Sequence, residues 1–580
     1  MSDQTIIMTF ELLPNELLIE CFKYLNALDI FYSFDQLNPR FSGLIRTILL
    51  RLSFQNVRKR IFDHFCTKYL LDSKIKDKII SLKLSNKNTC DQIDTFLSLF
   101  SLHKFSNLES LRLDGIRRTN LKNLQSMLPL ISKLYSFHLI DSDYDLSSIL
   151  PSGTPQLLAM SEPPHHLNHK LQTFPIVNLT ISIYNLTELD KLFTYMPMLK
   201  YLNIHNISMN NSNNTISNRC RAIYLQKLII NNFQYEFQLF KIFVEQIPNL
   251  KNLTLFSKNE TMINAYNWQD LITASLPYLN TFKFKFIYSR IDDDDDDYNT
   301  IINKFEQFQS SFWQEQHHWN TEYVLDKDLA YVYTIPYISN TYILTSYTNR
   351  YCKKSINNLN IFNNVTNLTL YQKTIREKCE FYFSNVEFLT LENESDTLKY
   401  NDNRFLCADN VHFLKTIINL TNLKHLNISS KCKIDMLPVL LEILKQSPRL
   451  SSLTIDPFTL SILLNDDELY KYLNKLIKKL DIYKEHDDTL NVFSTTKFCR
   501  AFSNLEQLKC NIQHLDNLLS LRNNLLPKLS FLFVIATSLI DENFIDQFKK
   551  GLLNLNIKHE IEYDYLTDGT FNEEIGIWID

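Results

Sequence analysis

A six-residue string, apolar–x–x–apolar–x–apolar, recurs along this 580-residue chain and limits what it can fold into. Seven close copies are Leu108-Glu-Ser-Leu111-Arg-Leu113, Leu199-Lys-Tyr-Leu202-Asn-Ile204, Leu250-Lys-Asn-Leu253-Thr-Leu255, Leu423-Lys-His-Leu426-Asn-Ile428, Leu450-Ser-Ser-Leu453-Thr-Ile455, Leu505-Glu-Gln-Leu508-Lys-Cys510 and Leu529-Ser-Phe-Leu532-Phe-Val534. Looser copies start at Ile79, Leu134, Ile176, Leu225, Leu279, Val365, Val386 and Ile477. Marked by the second apolar residue, the 15 copies fall at 82, 111, 137, 179, 202, 228, 253, 282, 368, 389, 426, 453, 480, 508 and 532. Most steps are between 21 and 29 residues; the exceptions are 42, 86 and 37. One such string is cheap in a leucine-rich chain, whereas fifteen in near-register are a repeat.

The last two apolar positions alternate with polar residues, the period of a short strand with one buried face. Upstream of most strands a helical pattern ends in Pro, Ser or Asn. Phe237, Leu239, Phe240, Phe243 and Val244 precede Ile247-Pro248-Asn249, and Leu437, Leu440, Leu441 and Leu444 precede Ser447-Pro448-Arg449. Proline ends each helix because it lacks the next backbone donor. A unit of about 25 residues cannot bury its apolar face alone, and stacked copies can. The pattern resembles the leucine-rich repeats of the longer cytosolic type, over roughly residues 76–560. The Asn or Cys usual three residues after the third apolar position is mostly missing. The resemblance implies an α/β solenoid with parallel strands on its concave face and helices on its convex face.

The first 50 residues follow another pattern. Apolar residues at 17, 18, 21, 22 and 25 form one helical stripe, with Pro14 and Glu16 in the first turn. Asp29 suits the cap of a second helix carrying Ile30, Phe31, Phe34 and Leu37. Asn38-Pro39 reads as the start of a third, with Phe41, Leu44, Ile45, Ile48 and Leu49 inward. Three short helices make a marginal core that a partner or the adjoining repeats must complete. The segment resembles an F-box: Leu13-Pro14-Asn15-Glu16-Leu17-Leu18 meets the family's opening, and Tyr24-Leu25 and Leu28-Asp29-Ile30 match its middle. Leu37 and Arg40-Phe41 stand where the family usually has a cysteine-bearing stretch and Arg-Trp.

An F-box ahead of leucine-rich repeats implies a substrate-recognition subunit of an SCF-type ubiquitin ligase. The F-box would dock on the Skp-type adaptor, and through it on a cullin and a RING protein, by Leu13, Pro14, Glu16, Leu17, Leu18, Phe22, Leu25 and Phe41. The repeats would hold an unidentified protein target. The chain would do no bond chemistry and need no cofactor. A second reading is an interaction scaffold in which the N-terminal helices only cap the repeats. An F-box must leave apolar side chains free, and a cap would bury them.

Composition narrows the alternatives. The six glycines, at 43, 115, 153, 551, 569 and 576, are too scattered for a phosphate-cradling loop. The ten cysteines contain no C-x-x-C, against zinc-ribbon and thioredoxin readings. A net charge of −4 gives no bulk attraction to nucleic acid or membrane. Without a basic n-region or an 18-residue apolar run, a cytoplasmic or nuclear site is expected. His165, His166 and His169 resemble metal ligands, but they follow a Ser/Gly/Pro-rich stretch that reads as an insertion. His317-His318 reads as part of an amphipathic helix from Phe305 to Trp319. The six aspartates 292–297 lack the spacing and glycine of a calcium loop.

The expected plan is an F-box at 1–50, a helical linker at 51–75, repeats at 76–282 and 365–560, and a tail at 561–580. Between the two runs, 283–364 carries the aspartates, two tryptophans and Tyr331-Val-Tyr333-Thr-Ile-Pro-Tyr337. It reads either as degraded repeats or as a loop exposing aromatics for binding. In each string, residues two, three and five should point away from the core. Lysine or arginine fills ten of those 45 positions and Asp or Glu four, so this face is +6. Arg112, Lys200, Lys227, Lys251, Lys283, Lys424, Lys479 and Lys509 are the target-binding candidates, suited to acidic or phosphorylated segments.

Overall fold

The computed structural model describes residues 10–57, 59–86, 92–140, 173–184, 186, 189–207, 221–289, 295–327, 329–352, 361–375, 379–392, 411–429, 436–482, 496–511, 528–529, 531–536, 550, 559–565 and 573–579. The protein is mixed α/β, with two large sheets of mostly parallel strands and, among the described residues, no closed barrel. Two compact units divide the chain: Met1–Thr321 with Tyr331–Thr334, and Glu322–Ala330 with Ile335–Asp580. No described helix is long and apolar enough to cross a membrane.

In the first unit, strands β1 (Leu50–Ser53), β2 (Ile79–Ser85), β3 (Ser110–Asp114), β4 (Ser136–Ile140), β5 (Asn178–Tyr184), β6 (Tyr201–Ile207), β7 (Lys227–Phe233), β8 (Asn252–Ser257) and β9 (Thr281–Ser289) are hydrogen-bonded in chain order. All of these pairings are parallel, and they bring Leu82, Leu111, Phe137, Leu179, Leu202, Leu228, Leu253 and Phe282 into one row. Every member of the row is buried, each worth about 1.5–3 kcal/mol of transfer free energy. Helices pack on this inner face. Trp268, on the helix Ala265–Ser275, lies 4.8 Å from the Phe282 ring and 5.5 Å from Phe286, and its indole N–H donates to the Met262 carbonyl at 2.8 Å.

The second unit repeats the scheme. Its strands are β12 (Thr341–Leu344), β14 (Asn367–Tyr371), β15 (Phe388–Glu392), β16 (His425–Ile428), β17 (Ser452–Thr454), β18 (Lys479–Ile482), β19 (Gln507–Asn511) and β20 (Phe531–Ala536), parallel and in chain order. Tyr342, Leu368, Leu389, Leu426, Leu453, Leu480, Leu508 and Leu532 share one register. All fifteen string markers therefore lie in two in-register rows.

Between neighbouring strings an asparagine recurs that the spacing alone does not reveal. Asn107, Asn249, Asn364, Asn385, Asn422 and Asn504 each stand one residue before the first apolar position. Each side-chain amide donates to a main-chain carbonyl of an earlier segment: Asp77, Ile223, Tyr337, Asn363, Ser384 and Asn474, at 2.7–3.1 Å. Where Lys133, Arg449 or Lys528 takes the place, its cation donates instead to the amide oxygen of the preceding asparagine, Asn107, Asn422 or Asn504. These bonds satisfy turn carbonyls that the strand ladder leaves over.

Several boundaries differ from expectation. Residues 50–53 of the expected F-box and linker form β1, whose Leu52 pairs with Leu82. The boundary at 283 falls inside β9, and the 86-residue interval hides one further in-register strand, β12, with Tyr342 standing 26 residues before Leu368. Tyr342 escaped the pattern because the first position of its string is the polar Ser339 rather than an apolar residue. The single series expected over 76–560 is two sheets, since after β9 come the helix Asp295–Gln307, a π-helical turn at Phe312–Gln316 and strands β10 (Thr321–Leu325), β11 (Leu329–Thr334) and β13 (Asn349–Tyr351), of which β10 and β13 pair antiparallel. A strand running the other way cannot extend a one-directional ladder.

The aromatics of this interval are core, not an exposed binding loop: Trp313, Trp319, Tyr331, Tyr333 and Tyr337 are all buried. Trp313 lies 5.0 Å from Phe308 and 5.6 Å from Phe284, and His317 stacks on Trp319 at 4.2 Å rather than continuing a helix. On β10 itself, the buried Glu322 takes Arg350 in a fork, Nε to Oε2 at 2.8 Å and Nη2 to Oε1 at 2.5 Å. The expected tail contributes strands: β22 (Glu573–Ile579) pairs antiparallel with β20, and β21 (His559–Tyr565) with β22. His165, His166, His169 and Asp292–Asp294 lie outside the described residues.

Candidate functional site

The first 50 residues build three short helices: α1 (Asn15–Phe22), α2 (Ala27–Phe34) and α3 (Pro39–Ile45). Asn38 caps α3, its Oδ1 accepting from the Phe41 amide at 2.9 Å, and Pro39 takes the first turn. Asp29 lies within the first turn of α2; the cap position belongs to Asn26. Asn26 makes a two-way bond with β1 instead, donating to the Ser53 carbonyl at 2.8 Å and accepting from its amide at 2.9 Å. Its side chain thus acts as one more strand residue at the sheet's first edge. Behind it Phe31 meets Phe65 at 5.4 Å and Tyr69 at 4.5 Å.

Arg40 fixes the entry to α1. Its guanidinium donates to Asn15 Oδ1 at 2.9 Å and to the carbonyls of Glu11 and Leu13, each at 2.5 Å. Asn38 Nδ2 adds a bond to Glu11 Oε1 at 2.7 Å. The Leu13-Pro14 turn is therefore held rigidly by the residue beside Phe41.

The eight adaptor-binding candidates divide. Pro14, Glu16 and Leu17 are exposed, and Leu13 and Leu25 half-buried. Leu18, Phe22 and Phe41 are core and offer no surface: they are 0%, 2% and 0% exposed. The reason is helical phase. Leu18 and Phe22 are four apart on the inward stripe, while Leu17 stands about 100° away. Phe41 is enclosed by the rings of Phe10, Phe22 and Phe34, 5.5–6.4 Å away. The most exposed apolar side chains are instead Tyr24, Leu12, Leu37, Leu49 and Leu17, exposed by 82, 63, 58, 54 and 52%, followed by Tyr32 and Phe10. Leu37 and Leu49 were expected inward and are exposed. The signal available for Leu12 and Leu37 was position: both flank helices rather than sitting on an apolar stripe.

The basic candidates do not share one face. Strands β6, β8 and β16 begin one residue after Lys200, Lys251 and Lys424, so string position two enters the strand and positions three and five form its open side. In the first unit the fifth positions run Lys83, Arg112, His138, Thr180, Asn203, Ile229, Thr254 and Lys283 in register. Charge gathers at its ends.

Several candidates are also engaged. Arg112 forks onto the buried Asp114 at 3.1–3.2 Å, and Lys227 stands 5.2 Å over the Tyr201 ring. In the second unit Lys424 pairs with Glu387 at 2.7 Å and Lys478 with Glu506 at 3.2 Å, while Lys479 is exposed and Lys509 half-exposed. Beside this group His425 stacks on Phe388 at 4.0 Å and 4°. Burial, then Lys479 and Lys424, push the His425 imidazole below its usual range, so it stays neutral at pH 7.

Among the described residues no three His, Cys, Asp or Glu side chains gather as a metal site. The described buried thiols are inert by environment: burial raises Cys66 to about 12 and Cys499 to about 11. A scan against protein-family models finds no match to this chain, and a search of the curated proteins finds none.

Proposed function

We propose that the chain is the substrate-recognition subunit of an SCF-type ubiquitin ligase. The three N-terminal helices are its F-box, docking on a Skp-type adaptor that leads to a cullin and a RING protein. The stacked strands and helices form a leucine-rich-repeat solenoid that binds a protein target, in the cytoplasm or nucleus. The protein carries no bond chemistry in this reading. It raises the effective concentration of target lysines near the charged conjugating enzyme.

One observation carries the adaptor half. The helices spend one set of apolar residues on packing and keep a second set, Leu12, Leu17, Tyr24 and Leu37, in water. A module serving only as a cap has no use for that second set, and exposing it costs solubility. The capping contacts of Asn26 and Phe31 favour the scaffold reading, and the two roles are compatible because they use different residues.

Co-precipitation with the Skp-type adaptor tests the proposal. Leu12→Asp with Leu17→Asp should abolish capture while leaving the far-UV spectrum and melting temperature unchanged, since both side chains are exposed. No capture by the wild-type chain, or undiminished capture by the double variant, would sink the adaptor reading and leave the scaffold.

A further inference from the structure

Exposed apolar side chains of the first unit gather on one rim. Strands β1 to β9 are parallel neighbours, so all begin at the same end, and the segments between them bring the chain back to it. Leu71, Leu99, Leu130, Met198, Tyr224 and Tyr278 stand on the segments leading into β2, β3, β4, β6, β7 and β9, and are 44 to 69% exposed. Beyond residue 50, nine large apolar side chains of this unit are exposed among the described residues, and Tyr266 alone lies off the rim. One exposed leucine needs no explanation, but eight of nine along a single rim do.

These segments are joined side by side. Asn107 donates to the Asp77 carbonyl at 2.7 Å, Lys133 to the Asn107 amide oxygen at 2.5 Å and Asn249 to the Ile223 carbonyl at 2.8 Å. Met198, Tyr224 and Tyr278 hold the place just ahead of the string where other units carry the tying asparagine or a cation, so three ties are given up for exposed apolar surface. Cations accompany the row. Residues 69–78, 99–109, 128–135, 196–200, 221–226, 245–251 and 276–280 hold eight Lys or Arg against four Asp or Glu. Two of those acids are tied, Asp72 accepting from the Lys74 amide at 2.9 Å and Asp77 from the Ser106 hydroxyl at 2.6 Å. The rim is therefore +4 on a chain of −4, a local field that the whole-chain charge conceals. From β2 to β9 the row crosses seven strand steps, about 34 Å at about 4.8 Å each. Single leucines and tyrosines on turns, with lysines between them, fit the surface of a bilayer. Tyrosine rings sit at headgroup level, leucines reach the acyl boundary, and flexible lysine stems carry their ammonium to anionic phosphates. A protein partner is the weaker match, because protein interfaces are depleted in lysine and a docked helix needs a groove rather than a row of turns.

We infer that the strand-start rim of the first unit is a docking surface for a lipid bilayer bearing anionic headgroups, which the protein meets peripherally. The inference goes beyond the proposed function and depends on neither its adaptor half nor its target-holding half.

The test sediments the full chain with sucrose-loaded vesicles of phosphatidylcholine containing about 30% phosphatidylserine, beside vesicles of phosphatidylcholine alone. Wild type should partition onto the anionic vesicles at least about tenfold more strongly, and added salt should weaken that partition. Lys74→Glu with Lys104→Glu should lower it at least about tenfold. Leu71→Gln, Leu99→Gln and Leu130→Gln together leave the charge alone and should lower it by a similar factor. All five side chains are exposed, so both variants should melt close to wild type. Equal partition onto the two kinds of vesicle, or partition untouched by the lysine variant, would overturn the inference. So would partition untouched by the leucine variant, since the rim would then read bare charge, as an oligonucleotide also offers. Self-association without lipid that the leucine variant abolishes would assign the rim to a second copy of the chain and overturn it as well.

Discussion

Lys285 shows what one residue on a strand's open side costs. Its ammonium stands 4.7 Å from the centre of the Tyr331 ring and 5.7 Å from that of Phe256. Burial, with Lys258 adding repulsion, pushes it down to about 7 from 10.5. Between those values the unfolded chain holds a proton that the folded chain lacks, so stability climbs with pH through the window. The penalty is complete below about 7. The ring contacts return part of it, about 0.5–2 kcal/mol. Lys285→Met should therefore gain more stability relative to wild type at pH 6.5 than at pH 9, a difference on the order of 2 kcal/mol. Urea midpoints at the two pH values measure it, and groups elsewhere cancel between the two proteins. Parallel pH profiles would mean that the cation is hydrated after all.

At the scale of elements, the asparagine ahead of each string ties one unit to the last. Asn504 is the best connected: its Nδ2 donates to the carbonyl and Oδ1 of Asn474, both at 3.0 Å, and its own Oδ1 accepts from Lys528 at 2.6 Å. Asn474 in turn reaches the Arg500 carbonyl and the Ser503 hydroxyl. Asn504→Ala should lower stability by about 1–2 kcal/mol, because a half-buried carbonyl loses its donor. Lys528→Ala, removing an exposed contact, should cost under about 0.5 kcal/mol. Asn504→Asp keeps the shape but turns a carboxylate toward the Asn474 carbonyl and should be no better than alanine. Denaturant midpoints for the three variants test the order, and an unchanged Asn504→Ala would remove the tie from the account. The strands were legible because a strand buried on one side must repeat its apolar residues at fixed places. The asparagines share a fixed place ahead of the string, but an apolar pattern does not read a polar residue, and the partner carbonyl 22–38 residues upstream leaves no mark of its own. The aromatics of 283–364 stayed between two readings, degraded repeats or an exposed loop, because an aromatic run says how much surface must be covered, not which side covers it. The helices of the first 50 residues were legible in place but only partly in phase, as Leu17 and Leu18 show.

Across the whole molecule, an array of strands is stable only if its ends are dealt with, because an open edge presents unpaired amides and carbonyls to any other strand. At β1 the side chain of Asn26 and the helices after it occupy the edge. In the second unit β20 runs Phe-Leu-Phe-Val-Ile-Ala, a sequence with no charge and high strand preference. Its outer backbone is taken by β22, pairing from Phe531 with Trp578 to Ala536 with Glu573, and β21 follows in an antiparallel pair. The sequence of β21 places acidic residues at 560, 562 and 564, every second position, where copies of the same strand would repel one another. A chain cut after residue 556 should therefore keep the strand order up to β20 and lose its solubility. It should form concentration-dependent oligomers at micromolar protein, while the full chain remains unchanged under the same conditions. Sedimentation velocity across a tenfold concentration range reads this directly. Adding Phe533→Lys to the cut chain places a charge in the exposed strand and should restore the slower species. If the cut chain stays monodisperse, the last two strands serve something other than the edge. If it aggregates but Phe533→Lys does not rescue it, the association runs through a surface other than β20.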